Sequence, residues 1–309
     1  MEASIALKEV SRRYGESGGL RRLSFGVEKG TVFAVVGPSG AGKSILLRIL
    51  TTLTKPDSGT IYIHGLNMEA RSRQIRQMCG YVPEQNTLDP DSTLYENFRT
   101  HGLLFGLSSK VAESQSKQLL ERFSLAEYAH ELPEVLSYGQ LRQALFARAL
   151  IHQPKILYMD EPVANVDSIT QRNIWDFINE KRGKMTFLFT TRDMHTAEEF
   201  ADRILILHQG NRITLGTPQE IRQAAFHASQ FTIRFKSVNP EFFSILENIR
   251  EVKHIEQHGR TYVITLIDPR EIAEVTKHLD FRQVEQVSVR EPSLRDFLFH
   301  LTEATEPIE

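Results

Sequence analysis

Cysteine is almost absent: Cys79 is the one thiol in 309 residues. No internal disulfide can form, and such usage suits a reducing compartment. Long apolar runs are missing too. None approaches the ~18 residues that span a bilayer, and Met1-Glu2-Ala3-Ser4 does not open a basic-then-apolar leader. A membrane role is therefore expected to run through a partner. Charge of one sign is also lacking, since 37 Lys+Arg against 39 Asp+Glu leave a formal net charge of −2. That balance gives no electrostatic basis for holding nucleic acid or an anionic membrane. What remains is an ordinary globular composition with 25% charged residues, long enough for one large domain or two.

One stretch organises the rest: Gly37-Pro38-Ser39-Gly40-Ala41-Gly42-Lys43-Ser44. It reads G-x-x-x-x-G-K-S between an apolar run, Val32 to Val36, and a helical pattern, Ile45 to Leu50. Strand, loop, helix is the context a phosphate-binding loop needs. The glycines let the backbone turn tightly and bring its N–H groups to phosphate oxygens. The helix that follows adds its positive end. Lys43 is expected to reach the outer phosphates of a nucleotide and the Ser44 hydroxyl to ligate Mg²⁺.

A second run, Ile156-Leu157-Tyr158-Met159, is apolar without alternation and ends in Asp160-Glu161-Pro162. This is the pattern of a strand covered on both faces. Asp160 then sits at the carboxyl end of a buried strand, where open α/β sheets bind ligands. Its expected role is to hold Mg²⁺ beside Ser44, and Glu161 is placed to accept a proton from an attacking water. Leu136-Ser137-Tyr138-Gly139-Gln140 opens a helix upstream; Ser137, the Gly139 backbone and Gln140 form either a plain helix cap or a second anion site. Tyr14 either stacks on an adenine ring or is a surface aromatic at a turn.

Strands and helices alternate from Val32 to His208, which implies a mainly parallel, covered sheet. Two amphipathic helices, Thr93 to Phe105 and Lys110 to Phe123, interrupt it. The pattern changes near Gly216-Thr217-Pro218. Beyond it the order is strand, helix, two strands, helix, strand, the ferredoxin-like split unit, with a last helix at Ser293 to Leu301. His254 and His258 flank Glu256, but they read as a strand and turn and are taken as surface residues rather than metal ligands.

These motifs resemble the nucleotide-binding subunit of ATP-binding-cassette (ABC) transporters over roughly residues 3–228. Gly37–Ser44 resembles Walker A, Ile156–Glu161 Walker B, Leu136–Gln140 the L-S-G-G-Q signature, and Ala164-Asn165-Val166-Asp167 the D-loop. Tyr14 lies where the family's adenine-stacking aromatic lies. The stretch Val287 to Leu298 resembles the tail of ATPase subunits of ABC-2-type exporters. The resemblance implies an α/β P-loop NTPase cassette over residues 1–220, with a helical subdomain at about 90–150; the order of elements beyond it predicts a small ferredoxin-like α+β accessory domain over 228–309. The resemblance implies ATP and Mg²⁺ as ligands and a head-to-tail pairing with a second nucleotide-binding subunit. Asp167 and the signature of one copy would complete the ATP site of the other. It also implies ABC-2-type integral membrane permease subunits as partners, contacted near Thr93 to Phe105, no nucleic acid, and a cytoplasmic place on the inner face of the cell membrane.

Three positions depart from the family. Tyr138 replaces a signature glycine. Where the family has Gln after the strand ending at Val82-Pro83, Glu84 stands in register and Gln85 follows, so either is a candidate to face the γ-phosphate. Arg192 occupies the place of the switch histidine; it stays charged at neutral pH but remains a forked donor for phosphate. Hydrolysis is expected to be slowed at this site, and a weakly hydrolysing regulatory subunit paired with an active one is the alternative to a working export ATPase.

Overall fold

The computed structural model describes residues 3–15, 18–225, 230–237, 240–266 and 272–290. The chain divides into two units, Met1–Thr217 and Pro218–Glu309.

The first unit holds two sheets. Strands β1 (Ala3–Tyr14) and β2 (Gly18–Glu28) form an antiparallel pair. Strand β3 (Val32–Val36) leads into α1 (Lys43–Leu50). Strands β4 (Ser58–Ile63) and β5 (Leu66–Asn67) complete the antiparallel sheet in the order β2-β1-β4-β5. Helix α2 (Ser72–Met78) runs directly into β6 (Cys79–Val82). Three helices follow: α3 (Leu94–Leu104), α4 (Ser109–Arg122) and α5 (Tyr138–Ala149). The chain returns through β7 (Ile156–Asp160), α6 (Ser168–Lys181), β8 (Thr186–Thr191), α7 (Met194–Phe200), β9 (Arg203–His208) and β10 (Asn211–Gly216).

The second sheet runs β10-β9-β3-β8-β7-β6. Every pair except β10 with β9 is parallel. Strands β3, β7 and β8 are buried at every position, which is why they are continuous apolar runs rather than alternating ones. Parallel pairing puts their carboxyl ends together: Val36 is in register with Thr191, Asp160 with Thr190, and Val82 with Met159. The loops after β3, β6, β7 and β8 therefore meet at one edge of the sheet, and these are the loops that carry the motif residues.

Local chemistry sets several element ends. Thr93 caps α3 and Ser137 caps α5, each in a reciprocal box with Glu96 and Gln140. Helix α2 begins only at Ser72, because the Asn67 side chain accepts from the Glu69 and Ala70 N–H groups and makes a turn ahead of it. Gly18 and Gly19 open β2. A Cβ on Gly19 would lie 2.0 Å from the Arg12 carbonyl oxygen, so that stretch of the hairpin closes only on glycine. Strands β5 and β10 went unread in the sequence.

The second unit contains α8 (Pro218–Ala225), β11 (Gln230–Phe235), α9 (Pro240–Glu247), β12 (Val252–His258), β13 (Thr261–Leu266), α10 (Ile272–Thr276) and β14 (Val284–Arg290). Its antiparallel sheet runs β12-β13-β11-β14, the ferredoxin-like order. Phe231, Ile233, Phe235, Phe242, Tyr262 and Ile264 form its core, with edge-to-face contacts among Phe235, Phe242 and Tyr262. The helix read at Ser293 to Leu301 lies outside the described residues.

Candidate nucleotide site

The loop from Gly37 to Gly42 turns in two left-handed steps, at Gly40 (φ 79°) and Gly42 (φ 102°). Gly42 stands at the cap position of α1, so no side chain caps that helix. Its first N–H groups are left for an outside acceptor, which is what an anion at a helix start requires. The Lys43 ammonium is folded over the loop and donates to the Gly37 carbonyl at 2.6 Å and the Pro38 carbonyl at 3.0 Å. Burial lowers the Lys43 pKa, and the nearby Glu161 carboxylate acts against that shift.

A cavity of about 270 Å³ opens over this loop. Ser39, Gly40, Ala41, Gly42, Lys43 and Ser44 form its floor, Tyr14 one wall, and Glu84, Asp160, Glu161 and Arg192 the side at the strand ends. Tyr14, at the end of β1, leaves 61% of its surface exposed. It is free to cover a flat ring.

Asp160 is buried and fixed: Thr190 Oγ1 donates to its Oδ1 at 2.5 Å. Glu161 is buried with a positive φ of 46°, a conformation that strains a residue with a Cβ. Its N–H donates to the Thr190 carbonyl at 3.1 Å. Its Oε1 is buried without a hydrogen bond, and Arg192 Nε lies 3.6 Å from it. Burial raises the Glu161 pKa, with Lys43 and Arg192 pulling it back. An unsatisfied buried carboxylate oxygen beside a lysine-floored cavity suits a ligand that brings its own donor or cation.

Glu84 lines the cavity; Gln85 is exposed and does not. Arg142 holds the Pro83 and Glu84 carbonyls where the chain leaves β6. Ser137, Gly139, Gln140 and Asp167 do not line this cavity. Ser137 and Gln140 bond each other in the cap of α5. Asp167 caps α6 and also accepts from the Thr170 hydroxyl. Gly139 packs against that pair so closely that a Cβ there would lie 2.5 Å from Asp167 Oδ2. These four residues form a patch of their own, with Tyr138 exposed at its rim. Arg142 was missed in the sequence. Its one signal there was a cation on the helix that Leu136–Gln140 opens.

A second cavity of about 260 Å³ lies beside α3 and is lined by Leu53, Tyr81, Pro83, Thr87, His101, Phe105 and Arg148, among others. His152 stacks on Phe105 with centroids 3.8 Å apart. On β12, both His254 and His258 bond Glu256, each at 3.3 Å. No cluster among the described residues has the composition and closeness to hold a metal ion by itself, and no described helix is long and apolar enough to cross a membrane.

The sequence profile of the ABC transporter family matches residues 20–164. The chain is 34% identical over 270 residues to the Nod factor export ATP-binding protein I of Burkholderia lata, covering 86% of this chain and 87% of that one. It is 32% identical over 303 residues to the protein of the same name from Burkholderia orbicola, covering 97% of each. Among solved structures it resembles the ATP-binding cassette MJ0796, seen as a dimer in a post-hydrolysis state with ADP and Pi. That match has a TM-score of 0.64 and 27% identity, covering 69% of this chain and 98% of the other. With relatives above 30% identity matched over most of its length, the chain belongs to the ABC transporter family, as one of its ATP-binding cassettes.

Proposed function

We propose that this protein is the ATPase subunit of an ABC-2-type exporter, and that its own site hydrolyses ATP. The observation that carries the reading is the convergence of Lys43, Ser44, Asp160 and Glu161 on one cavity from the ends of β3 and β7. In this reading the free N–H groups of the loop and of α1 bind the phosphates, Lys43 neutralises the outer ones, and Tyr14 covers the base. Ser44 and Asp160 hold Mg²⁺, which when bound neutralises charge on the phosphate oxygens. Glu161 takes the proton of the attacking water. Burial, which raises its pKa, makes it a stronger base than an exposed glutamate.

ABC ATP-binding subunits dimerise and work with membrane subunits. Two features support that arrangement in this protein. The Ser137–Gln140 patch lies apart from the Lys43 cavity, so it serves an ATP site only when a second copy or a similar subunit supplies the other half. Helix α3 exposes Leu104 at 79% beside the 260 Å³ cavity, a face suited to a helix from a membrane subunit. The reading places the protein on the inner side of the membrane through that contact. The named relatives are assigned to Nod factor export, and their match spans both units of this chain. The second unit is proposed as an accessory, regulatory domain.

The test is ATP turnover of the purified complex with its membrane partner, native against Glu161→Gln. Turnover should fall ~10²-fold or more with ATP still bound. Unchanged turnover would assign hydrolysis to another subunit and make this site a regulatory one.

A further inference from the structure

Arg142 belongs to none of the motifs, yet it ties two of the four loops at the site together. It sits on α5, one turn past the Ser137–Gln140 cap, and is 2% exposed. Its Nη1 donates to the carbonyls of Pro83 at 2.5 Å and Glu84 at 2.8 Å. Its Nη2 donates to the carbonyls of Asp160 at 3.2 Å and Glu161 at 3.1 Å. One planar guanidinium thus bridges the main chain after β6 to the main chain after β7. A lysine cannot reproduce this, because its donors radiate from a single nitrogen. The Glu161 carbonyl belongs to the residue with the strained positive φ, so the fork holds the turn that aims the carboxylate.

The same helix reaches the other end of the first loop. Arg148 donates to the Thr87 carbonyl at 2.8 Å and to Thr87 Oγ1 at 2.7 Å. The segment from Pro83 to Thr87 is therefore held at both ends by α5. Its residues line two different cavities: Glu84 the one over Lys43, and Pro83 and Thr87 the one beside α3.

We propose that Arg142 is a positioning residue for hydrolysis. It sets the Asp160–Glu161 main chain against Pro83–Glu84, so that a displacement of the Pro83–Thr87 segment is carried to both carboxylates. The role rests on Glu161 acting as the base. A purely structural arginine would stabilise the fold without separating chemistry from binding.

The experiment uses the full chain and its Arg142→Lys and Arg142→Met variants. Hydrolysis of Mg-ATP gives kcat and KM, and trinitrophenyl-ATP fluorescence gives nucleotide affinity. Amide hydrogen exchange is followed in peptides covering 83–87 and 160–164. Arg142→Lys should lower kcat ~100-fold, the size of effect that a misplacement near 1 Å produces, while KM and affinity move less than about threefold. Exchange should rise in both peptides together and stay unchanged in α1. A variant with native kcat, or with its loss confined to KM, overturns the proposal; so does loosening of one peptide alone. If Arg142→Met does not fold, Arg142→Lys carries the test. If the native chain alone turns over no ATP, kcat and KM are read on the complex with its membrane partner, and the exchange measurement decides whether Arg142 couples the two segments.

Discussion

Replacing Thr190 with valine removes one hydroxyl from the centre of the site and almost nothing else. Thr190 is fully buried on β8, and Asp160, which accepts its hydrogen bond, is 5% exposed. Valine has the same shape and suits a strand as well, so no cavity opens. The Glu161 N–H loses Thr190 Oγ1 at 3.3 Å but keeps the Thr190 carbonyl at 3.1 Å. The cost therefore falls on Asp160, whose buried Oδ1 is left without that donor. A hydrogen bond to a charged group contributes ~1.5–3 kcal/mol. For a unit of this size each kcal/mol moves Tm by about 2–4 °C, so Thr190→Val should melt about 3–12 °C lower. If Asp160 ligates Mg²⁺, the cation supplies the missing positive charge. Melts should then be run without ligand and with Mg²⁺ plus a non-hydrolysable ATP analogue, and the deficit should shrink to under ~1 kcal/mol in the second. A ligand-free deficit below ~0.5 kcal/mol would refute the value placed on this bond. A deficit that persists in full with the metal would refute Asp160 as its ligand.

Two further outcomes follow from groups around the site. Tyr14→Ala removes the exposed ring on the cavity wall and should weaken ATP binding by ~1–3 kcal/mol, the usual worth of a base stacked on an aromatic; GTP and ATP should lose alike, and fluorescence titration of both nucleotides checks it. His101 and His152 are held neutral in the fold: burial pushes their pKa values down to about 3 and about 4. Because the folded values lie below the unfolded one near 6.5, the unfolded chain takes up protons first as pH falls. Stability should be full above about pH 6.5 and decline towards pH 4, by about 2 kcal/mol per histidine at pH 5. Urea melts at pH 7 and pH 5 measure this, and His101→Leu should halve the difference.

Much of the site could be read from residues in order, because its main parts are local. A strand, a glycine loop and a helix lie within nineteen residues, Val32 to Leu50, and the Asp160-Glu161 pair follows directly from its own apolar run. Which of Glu84 and Gln85 lines the cavity was not readable. It depends on how the chain leaves β6, and that exit is set by Arg142, 58 residues away from Glu84. The strain at Glu161 was equally hidden, since a positive φ at glutamate has no compositional signal. Boundaries failed where side chains compete with the backbone, as Asn67 does ahead of α2, or where a strand is short and half-exposed, as in β5 and β10. The ferredoxin-like unit was readable as an order of elements, while its strand order needed the observed pairing.

The two charged departures at the cavity bear on each other. Glu84 brings one negative charge and Arg192 one positive, and both line the cavity over Lys43. Glu84 acts to raise the Lys43 pKa, and Arg192 acts to lower it. Their effects on the phosphates should oppose in the same way. Arg192→His should weaken ATP binding and Glu84→Gln should tighten it, each by a few-fold, since both side chains are solvated and their charges screened. The double variant should bind within about twofold of native, a cycle in which the singles nearly cancel. Turnover separates this from a catalytic role. Arg192 Nε lies 3.6 Å from Glu161 Oε1, so it restrains the base as well as attracting phosphate. If that restraint slows hydrolysis, Arg192→His should raise kcat even as it weakens binding, and the double variant should keep the higher kcat. An Arg192→His enzyme with native kcat would sink the view that this cassette is slowed by its own arginine, and would leave the charge balance as the whole consequence of the exchange.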